Sequence, residues 1–354
     1  MVIRSLELHH FRNYRQLQVE FGPGLNWLHG YNGQGKTNLV EAIAYLCNLE
    51  SFRTRKTQQL WYSEANAARM TALLEQQQVL RRVQIILSTR GRQVWLDHAP
   101  FQRTSEYVLS FLALSFTPED VALFRGPPQE RRRFFNRIIS TLDPVYFRHL
   151  QDYTKVLAEK NAALRQRQDR QLSAWNQVLA RTGWELIQRR AAFAEQLLSH
   201  LVELFRMATG RPEQLSLRYH PAVQCSDAEQ LEKMMEEQRD RELHSGYALI
   251  GPHRDDYHLF LDEKIDRDFF SQGELRVTNL SLKIAINQLL FSHYSLHPIL
   301  IFDDLFSELD AQVSQRLLGL FAQLQNQIFV TSTTRPEKLD TKSCSFQVVQ
   351  GQFI

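Results

Sequence analysis

Apolar and polar residues alternate along the first thirty positions with the two-residue period of half-buried strands. Ile3, Leu6 and Leu8 lead to a turn around Asn13, after which Leu17-Gln18-Val19-Glu20-Phe21 alternates again. Gly22-Pro23-Gly24 marks a turn, and Leu25–His29 predicts a short strand that runs into glycine. From Thr37 to about Asn48 the period lengthens to that of a helix, with Leu39, Ile43, Ala44 and Leu46 on one side. Further strands are expected at Met70–Leu74 and Val79–Ser88, then a turn at Arg90-Gly91-Arg92 and a strand at Gln93–Leu96.

After Pro127-Pro128 the texture changes. Apolar residues recur at three- and four-residue steps from Tyr153, Leu157 and Leu164 through Leu172, Trp175, Leu179 and Leu186 to Leu197, Leu201 and Phe205. This pattern predicts two or three long helices folded as an antiparallel hairpin and closed by Gly210-Arg211-Pro212. A charged helix is expected at 226–245. Strands follow at 247–250 and 257–261, a helix at 274–292, a strand at 299–303, a helix at 311–324, and strands at 327–331 and 345–350. The α/β texture at both ends brackets a helical middle. That order suits one α/β domain, built from 1–125 and 246–354, with a helical arm inserted at 126–245.

Composition narrows the class. The chain has 354 residues, of which 43% are apolar, so it folds into a globular protein with a sizeable core. A net charge of +3 names no partner by itself. No run approaches the roughly 18 apolar residues of a membrane span, and the segment from Met1 to Arg15 lacks the apolar core and cleavage site of a signal peptide. Cys47, Cys225 and Cys344 are far apart and odd in number, which suits a reducing cytoplasm and offers neither a disulfide framework nor a zinc cluster.

The decisive chemistry begins at Gly30-Tyr31-Asn32-Gly33-Gln34-Gly35-Lys36-Thr37, which fits the P-loop pattern and is followed by Asn38. Its glycines let backbone N–H groups turn toward the phosphates of ATP. Lys36 brings a point charge to the β- and γ-phosphates, Thr37 a hydroxyl to Mg²⁺, and the helix behind them directs its positive end at the same anion. The motif follows a strand and opens a helix, as this chemistry requires. His297–Phe302 then reads as a buried strand ending in Asp303-Asp304, a Walker B arrangement. Asp303 is expected to serve Mg²⁺ and Asp304 to polarise the attacking water. Ser271-Gln272-Gly273-Glu274 opens a helix and can be read either as a second anion site or as a capping box. Ser307-Glu308-Leu309-Asp310 reads as a helix start.

The order P-loop, long insertion, Ser-x-Gly, Walker B with two acids, then Ser-x-Leu-Asp resembles the ABC-type ATPases. Within that superfamily, Leu8-His9-His10-Phe11-Arg12-Asn13-Tyr14-Arg15 looks like the opening of the RecF family of DNA recombination and repair proteins. Phe116-Thr117-Pro118-Glu119-Asp120, the run from Gly126 to Phe134 and Gly251-Pro252-His253-Arg254-Asp255-Asp256 resemble the same family, so the likeness extends from residue 6 to about 310. The resemblance implies an ATPase head related to those of Rad50 and SMC proteins. It also implies that Ser271, Gln272 and Gly273 act in trans across an ATP-dependent homodimer, with Asp310 at the interface and Arg12 near the phosphates. RecR and RecO as partners, and RecA loading at single-strand gaps, follow from the resemblance alone.

Four local features refine this picture. The signature continues with Glu274-Leu275 where the family has Gln. After the strand that follows Walker B, Phe329-Val330-Thr331-Ser332-Thr333-Thr334 offers hydroxyls where transporter ATPases carry a His, which implies slow hydrolysis. The segment 116–120 is the expected place of the loop that bears Gln in the superfamily. The middle helices, at about 20–35 residues and so roughly 50 Å or less, make an arm rather than a long tether.

Basic residues crowd two regions. Arg125, Arg131, Arg132, Arg133 and Arg137 stand close together, and Lys160, Arg165, Arg167, Arg170, Arg181, Arg189 and Arg190 follow. Arg131, Arg132 and Arg133 are the candidates for DNA contact. No base-reading module is present, so binding to double-stranded or gapped DNA is expected to be sequence-independent and salt-sensitive. Against a transporter subunit stand the missing His and the basic insertion; against a GTPase stands the absence of N-K-x-D.

Overall fold

The computed structural model describes residues 1–62, 64–101, 107, 110–211, 214–262, 264–265, 270–335 and 343–353. Pro212, expected to close the helical region, lies outside the described residues. The chain divides into two compact units, Met1–Asp120 with Met207–Thr209 and Arg276–Ile354, and Val121–Arg206 with Gly210–Leu275.

The first unit contains two six-stranded sheets. One is antiparallel, in the order β2 (Tyr14–Glu20), β1 (Val2–Phe11), β4 (Ala67–Gln76), β5 (Val79–Ser88), β6 (Gly91–Leu96) and β7 (Ala99–Pro100). The other runs β15 (Gln352–Phe353), β14 (Cys344–Val349), β3 (Leu25–His29), β13 (Ile328–Ser332), β12 (Ile299–Phe302) and β8 (Ala113–Phe116), and is parallel except at β15. All four residues of β12 are buried, as its unbroken apolar run requires of a strand covered on both faces. Helix α1 (Lys36–Asn48) is buried almost all round. One apolar cluster joins Leu6 and Leu8 of the antiparallel sheet, Leu39 and Ile43 of α1, and Ile301 and Phe329 of the parallel sheet. The unit thus encloses α1 in a single core, with the N-terminus of α1 at the end of β3.

The second unit is built on α2 (Pro128–Leu142), α3 (Pro144–Arg165) and α4 (Leu172–Thr209), with the three-stranded sheet β11 (Lys264–Ile265), β10 (Asp256–Leu261), β9 (Leu215–His220). At 38 residues, α4 spans about 57 Å, longer than the arm expected from sequence. The charged helix expected at 226–245 is broken at Gln238 into α5 (Ala228–Glu237) and α6 (Arg239–Ser245). No strand forms at 247–250. There the N–H of Ala248 donates to Asn161 Oδ1 and that of Leu249 to Glu242 Oε1, both at 2.7 Å, so side chains take the bonds a ladder would need. Residues 246–275, expected with the ATPase domain, belong to this unit, since β10 pairs with β9 along its whole length. Helix α7 (Gln272–Tyr294) and α8 (Ala311–Gln323) complete the chain.

Candidate active site

The turn from β3 into α1 depends on glycine. Gly30, Gly33 and Gly35 have φ of 147°, 80° and 111°, and a Cβ on Gly30 would run into the Val348 carbonyl. Gly35 caps α1 without any side-chain bond, so the first-turn N–H groups stay available to an anion. The Tyr14 hydroxyl donates to the Gly35 carbonyl at 2.9 Å, and Gln34 ties the loop to Gln350 and Gly351. Lys36 Nζ donates to the carbonyls of Gly30 and Tyr31, at 2.7 and 2.8 Å. Burial lowers the pKa of this ammonium, while Asp304 and Asp303 pull it the other way.

The end of β12 meets this loop. Asp303 Oδ1 accepts from Thr37 Oγ1 at 3.0 Å and from Thr331 Oγ1 at 2.6 Å. Burial raises the Asp303 pKa; the two hydroxyls oppose that shift, and the charges of Asp304 and Glu119 add to it. Asp304 adopts a left-handed backbone (φ 50°, ψ 39°), uncommon for a residue with a side chain. Its N–H donates to Thr331 Oγ1 at 2.8 Å, and Arg276 Nη1 donates to its carbonyl at 3.3 Å. The result is an open cleft of about 450 Å³ whose walls include Asn32, Gly33, Gly35, Lys36, Thr37, Asn38, Asp303, Asp304 and Thr331. Orphan helix N–H groups, a lysine, and a hydroxyl beside a carboxylate form a donor set that fits the phosphates of a nucleotide and a hard, oxygen-seeking cation.

Two residues of the cleft were not foreseen in its walls, Phe52 and Arg53, while Pro118 and Glu119 come from the segment 116–120 expected there. From that segment Glu119 faces the cleft. Its segment is held by Lys283, whose Nζ donates to Asp120 Oδ2 at 2.6 Å. Arg12, expected near the phosphates, is not among the residues lining the cleft; its guanidinium bonds Glu41, an acid that Arg53 also contacts. It grips the fully buried Glu41 with Nε–Oε2 at 2.8 Å and Nη2–Oε1 at 2.6 Å, and donates to the Gln59 carbonyl at 2.7 Å. A buried carboxylate needs such a partner. The arginine in the cleft wall is Arg53, which donates to Asn38 Oδ1 at 2.8 Å. Tyr31 stands 85% exposed on the rim of the loop.

A family model described as an AAA domain matches residues 5–197. A Bacillus pumilus protein described as "DNA replication and repair protein RecF" is 34% identical over 371 residues, covering 100% of this chain and 100% of its own length. Relatives of the same description from Halalkalibacterium halodurans (34% over 367 residues, 99% of this chain and 98% of the relative) and Pediococcus pentosaceus (33% over 349 residues, 94% and 92%) agree. This chain belongs to the RecF family. A solved structure of the recombination mediator protein RecF with ATP, in the RecFOR pathway, superposes at a TM-score of 0.87 and 25% identity, covering 99% of this chain and 96% of that one. An SMC head domain from Pyrococcus furiosus matches at a TM-score of 0.57 and 15% identity, over 99% of this chain and 94% of that one, a likeness of fold alone. The chain is therefore a RecF-family ATPase with an α/β fold like that of SMC heads.

The remaining candidates of this RecF-family chain are not among the residues that line the cleft. Ser271 and Glu274 form a reciprocal capping box at the start of α7, with Ser271 N to Glu274 Oε2 at 2.8 Å and Glu274 N to Ser271 Oγ at 3.2 Å. Ser271 and Gln272 are exposed, and a Cβ on Gly273 would meet nothing within 4 Å. Asp310 caps α8, accepting from Val313 N at 2.8 Å. Arg131, taken from sequence as a DNA contact, is 0% exposed and is corrected to a structural residue. Its guanidinium pairs with both oxygens of Asp256, at 2.7 and 2.8 Å, and donates to the Gly126 carbonyl at 2.6 Å. Arg132 is half-buried and Arg133 exposed. Among the described residues, no helix is long and apolar enough to cross a membrane.

Proposed function

We propose that this RecF-family protein is a cytoplasmic, ATP-gated DNA-binding ATPase of recombinational gap repair, acting as a homodimer that clamps DNA. The reading rests first on the 3.0 Å contact between Thr37 and Asp303, which joins motifs 266 residues apart into one site. Lys36 and the N–H groups of α1 hold the phosphates of ATP. Thr37 and Asp303 hold Mg²⁺, which when bound supplies positive charge to the phosphoryl oxygens. Asp304 orients the attacking water and accepts its proton, while Thr331 fixes the backbone of Asp304. Ser271, Gln272 and Gly273 of a second copy complete the site, and Asp310 lies where the copies meet. Hydroxyls in place of a His beyond β13 favour slow turnover, stimulated by DNA. ATP therefore sets a closed, DNA-bound state, and its hydrolysis ends that state.

The DNA is bound without regard to sequence, double-stranded or gapped, and Arg132 and Arg133 remain the contacts from the basic run. RecO and RecR are the protein partners, with RecA loading the outcome. This part of the reading is supported by family membership and by the solved RecF described in the RecFOR pathway. The Asp304→Asn variant tests the core of it. It is expected to bind ATP normally, to hydrolyse it at least about 100-fold more slowly, and to stay on DNA longer than the wild type. Hydrolysis at the wild-type rate would remove Asp304 from the reaction.

A further inference from the structure

The loop Gly251–Asp256 is fastened inward almost residue by residue. Gly251 has φ of 130°, and a Cβ there would run into the Tyr153 hydroxyl. The Pro252 carbonyl accepts from Arg190 Nη1 at 2.6 Å. His253 bonds the Tyr153 hydroxyl at 2.7 Å. Asp255 is fully buried and accepts from Arg190 Nη1 and Ala222 N, both at 2.8 Å, and from the Tyr219 hydroxyl. Asp256 takes the bidentate pair from Arg131.

Arg254 is the exception. It is exposed, its guanidinium lies 5.3 Å from the centre of the Tyr247 ring, and Nη2 donates to the Ala248 carbonyl at 3.3 Å. A second cation reaches the same loop: Arg132 Nη1 donates to the Asp255 carbonyl, the next peptide along, at 2.6 Å. Among the described residues, neither guanidinium is ion-paired or hydrogen-bonded to a carboxylate. The nearby acids Asp255 and Asp256 are already committed to Arg190 and Arg131. Burial lowers the pKa of Arg132, and repulsion from Arg190 and Arg254 adds to the shift, offset only in part by the two acids. Two adjacent cations held by so rigid a scaffold create a local positive potential that suits an anion from outside. Tyr247, beside Arg254, remains 47% exposed.

We infer that Arg132, Arg254 and Tyr247 form a binding site for single-stranded nucleic acid, with backbone phosphate on the two guanidinium groups and an unpaired base stacked on Tyr247. The inference rests on the DNA-binding function proposed above and gives it a place on the chain. Guanidinium beside an exposed aromatic ring is the pairing that single strands use, because a phosphate and a base face follow each other along them. A duplex keeps its base faces stacked and can use only the cations.

The test uses the full chain with ATP, a fluorescein-labelled thymidine oligonucleotide and a blunt duplex, with anisotropy read over a range of salt. Arg254→Gln is expected to weaken oligonucleotide binding about tenfold and to lower the salt slope by about one. Tyr247→Ala is expected to weaken oligonucleotide binding to a similar degree, roughly tenfold, while duplex affinity stays unchanged, and Tyr247→Phe is expected to restore it. ATP binding, measured separately, stays at the wild-type level in all three. If the wild type binds the oligonucleotide and Arg254→Gln and Tyr247→Ala bind it equally well, this site is overturned and the cations belong to another ligand, such as an acidic protein. If the wild type retains neither DNA in the presence of ATP, the proposed function falls and this site falls with it.

Discussion

His253 Nε2 lies 3.1 Å from the Ala248 carbonyl, an acceptor only, so this nitrogen carries the proton and Nδ1 accepts from the Tyr153 hydroxyl. The neutral ring is thereby fixed. Burial is the largest cause of a pKa lowered from 6.5 to about 4; the Ala248 bond opposes it, and Arg254, Arg132 and Lys160 add repulsion. Between these two values the unfolded chain binds a proton that the folded chain does not. The group's contribution is therefore intact above about pH 6.5 and is lost as pH falls toward 4. Urea unfolding of the wild type is expected to show stability falling across that window, and His253→Gln to flatten the fall. Equal pH profiles for the two proteins would contradict the assignment. At this scale the P-loop and Asp303-Asp304 were legible because phosphate chemistry fixes both residue types and spacing. Arg53 was not, because it reaches the cleft through tertiary contacts with Asn38 and the buried Glu41 that no local pattern encodes. Arg131 misled for the same reason, since its burial against Asp256 is a product of tertiary pairing.

Elements were easier to read than their partners. The helix after the P-loop, the hairpin strands β4 and β5, and the buried strand β12 all declared themselves through periodicity. Strand β8 did not. It is four residues long, and its place is set by parallel pairing with β12, from Ala113 opposite Ile299 to Phe116 opposite Phe302, which no local pattern encodes. Strand β9 shows only Leu215 and Leu217 on its buried face, too little to stand out beside the long helices. The start of α8 offers a test at this scale, because Asp310 has two roles to separate. As a helix cap, Asp310→Ala should cost about 1 kcal/mol of stability, and Asp310→Asn, which retains a capping oxygen, should cost much less. If Asp310 also serves the interface between two copies, both variants should weaken ATP-dependent association. Association unchanged in both, with stability lost in Asp310→Ala alone, would leave it a cap and nothing more.

For the whole molecule, the structure shows a cleft at the P-loop in the first unit and, in the residues of the second, exposed Ser271 and Gln272 and a half-buried Gly273 around the start of α7. One chain thus carries both the P-loop and the proposed signature, and the proposed dimer uses each copy's Ser271-Gln272-Gly273 on the other's nucleotide. Ser271 is well suited to discriminate this reading, since replacing it loses an exposed capping box at a cost of about 1 kcal/mol but would place a bulky cation in the proposed interface. The most direct test is the mass of the protein in solution, measured by light scattering with and without ATP, for the wild type, Lys36→Arg and Ser271→Arg. The wild type is expected to be a monomer without ATP and a dimer with it, while both variants remain monomeric under either condition. A dimer that forms without ATP, or a Ser271→Arg protein that dimerises as readily as the wild type, would contradict the account of ATP as the clasp between two copies.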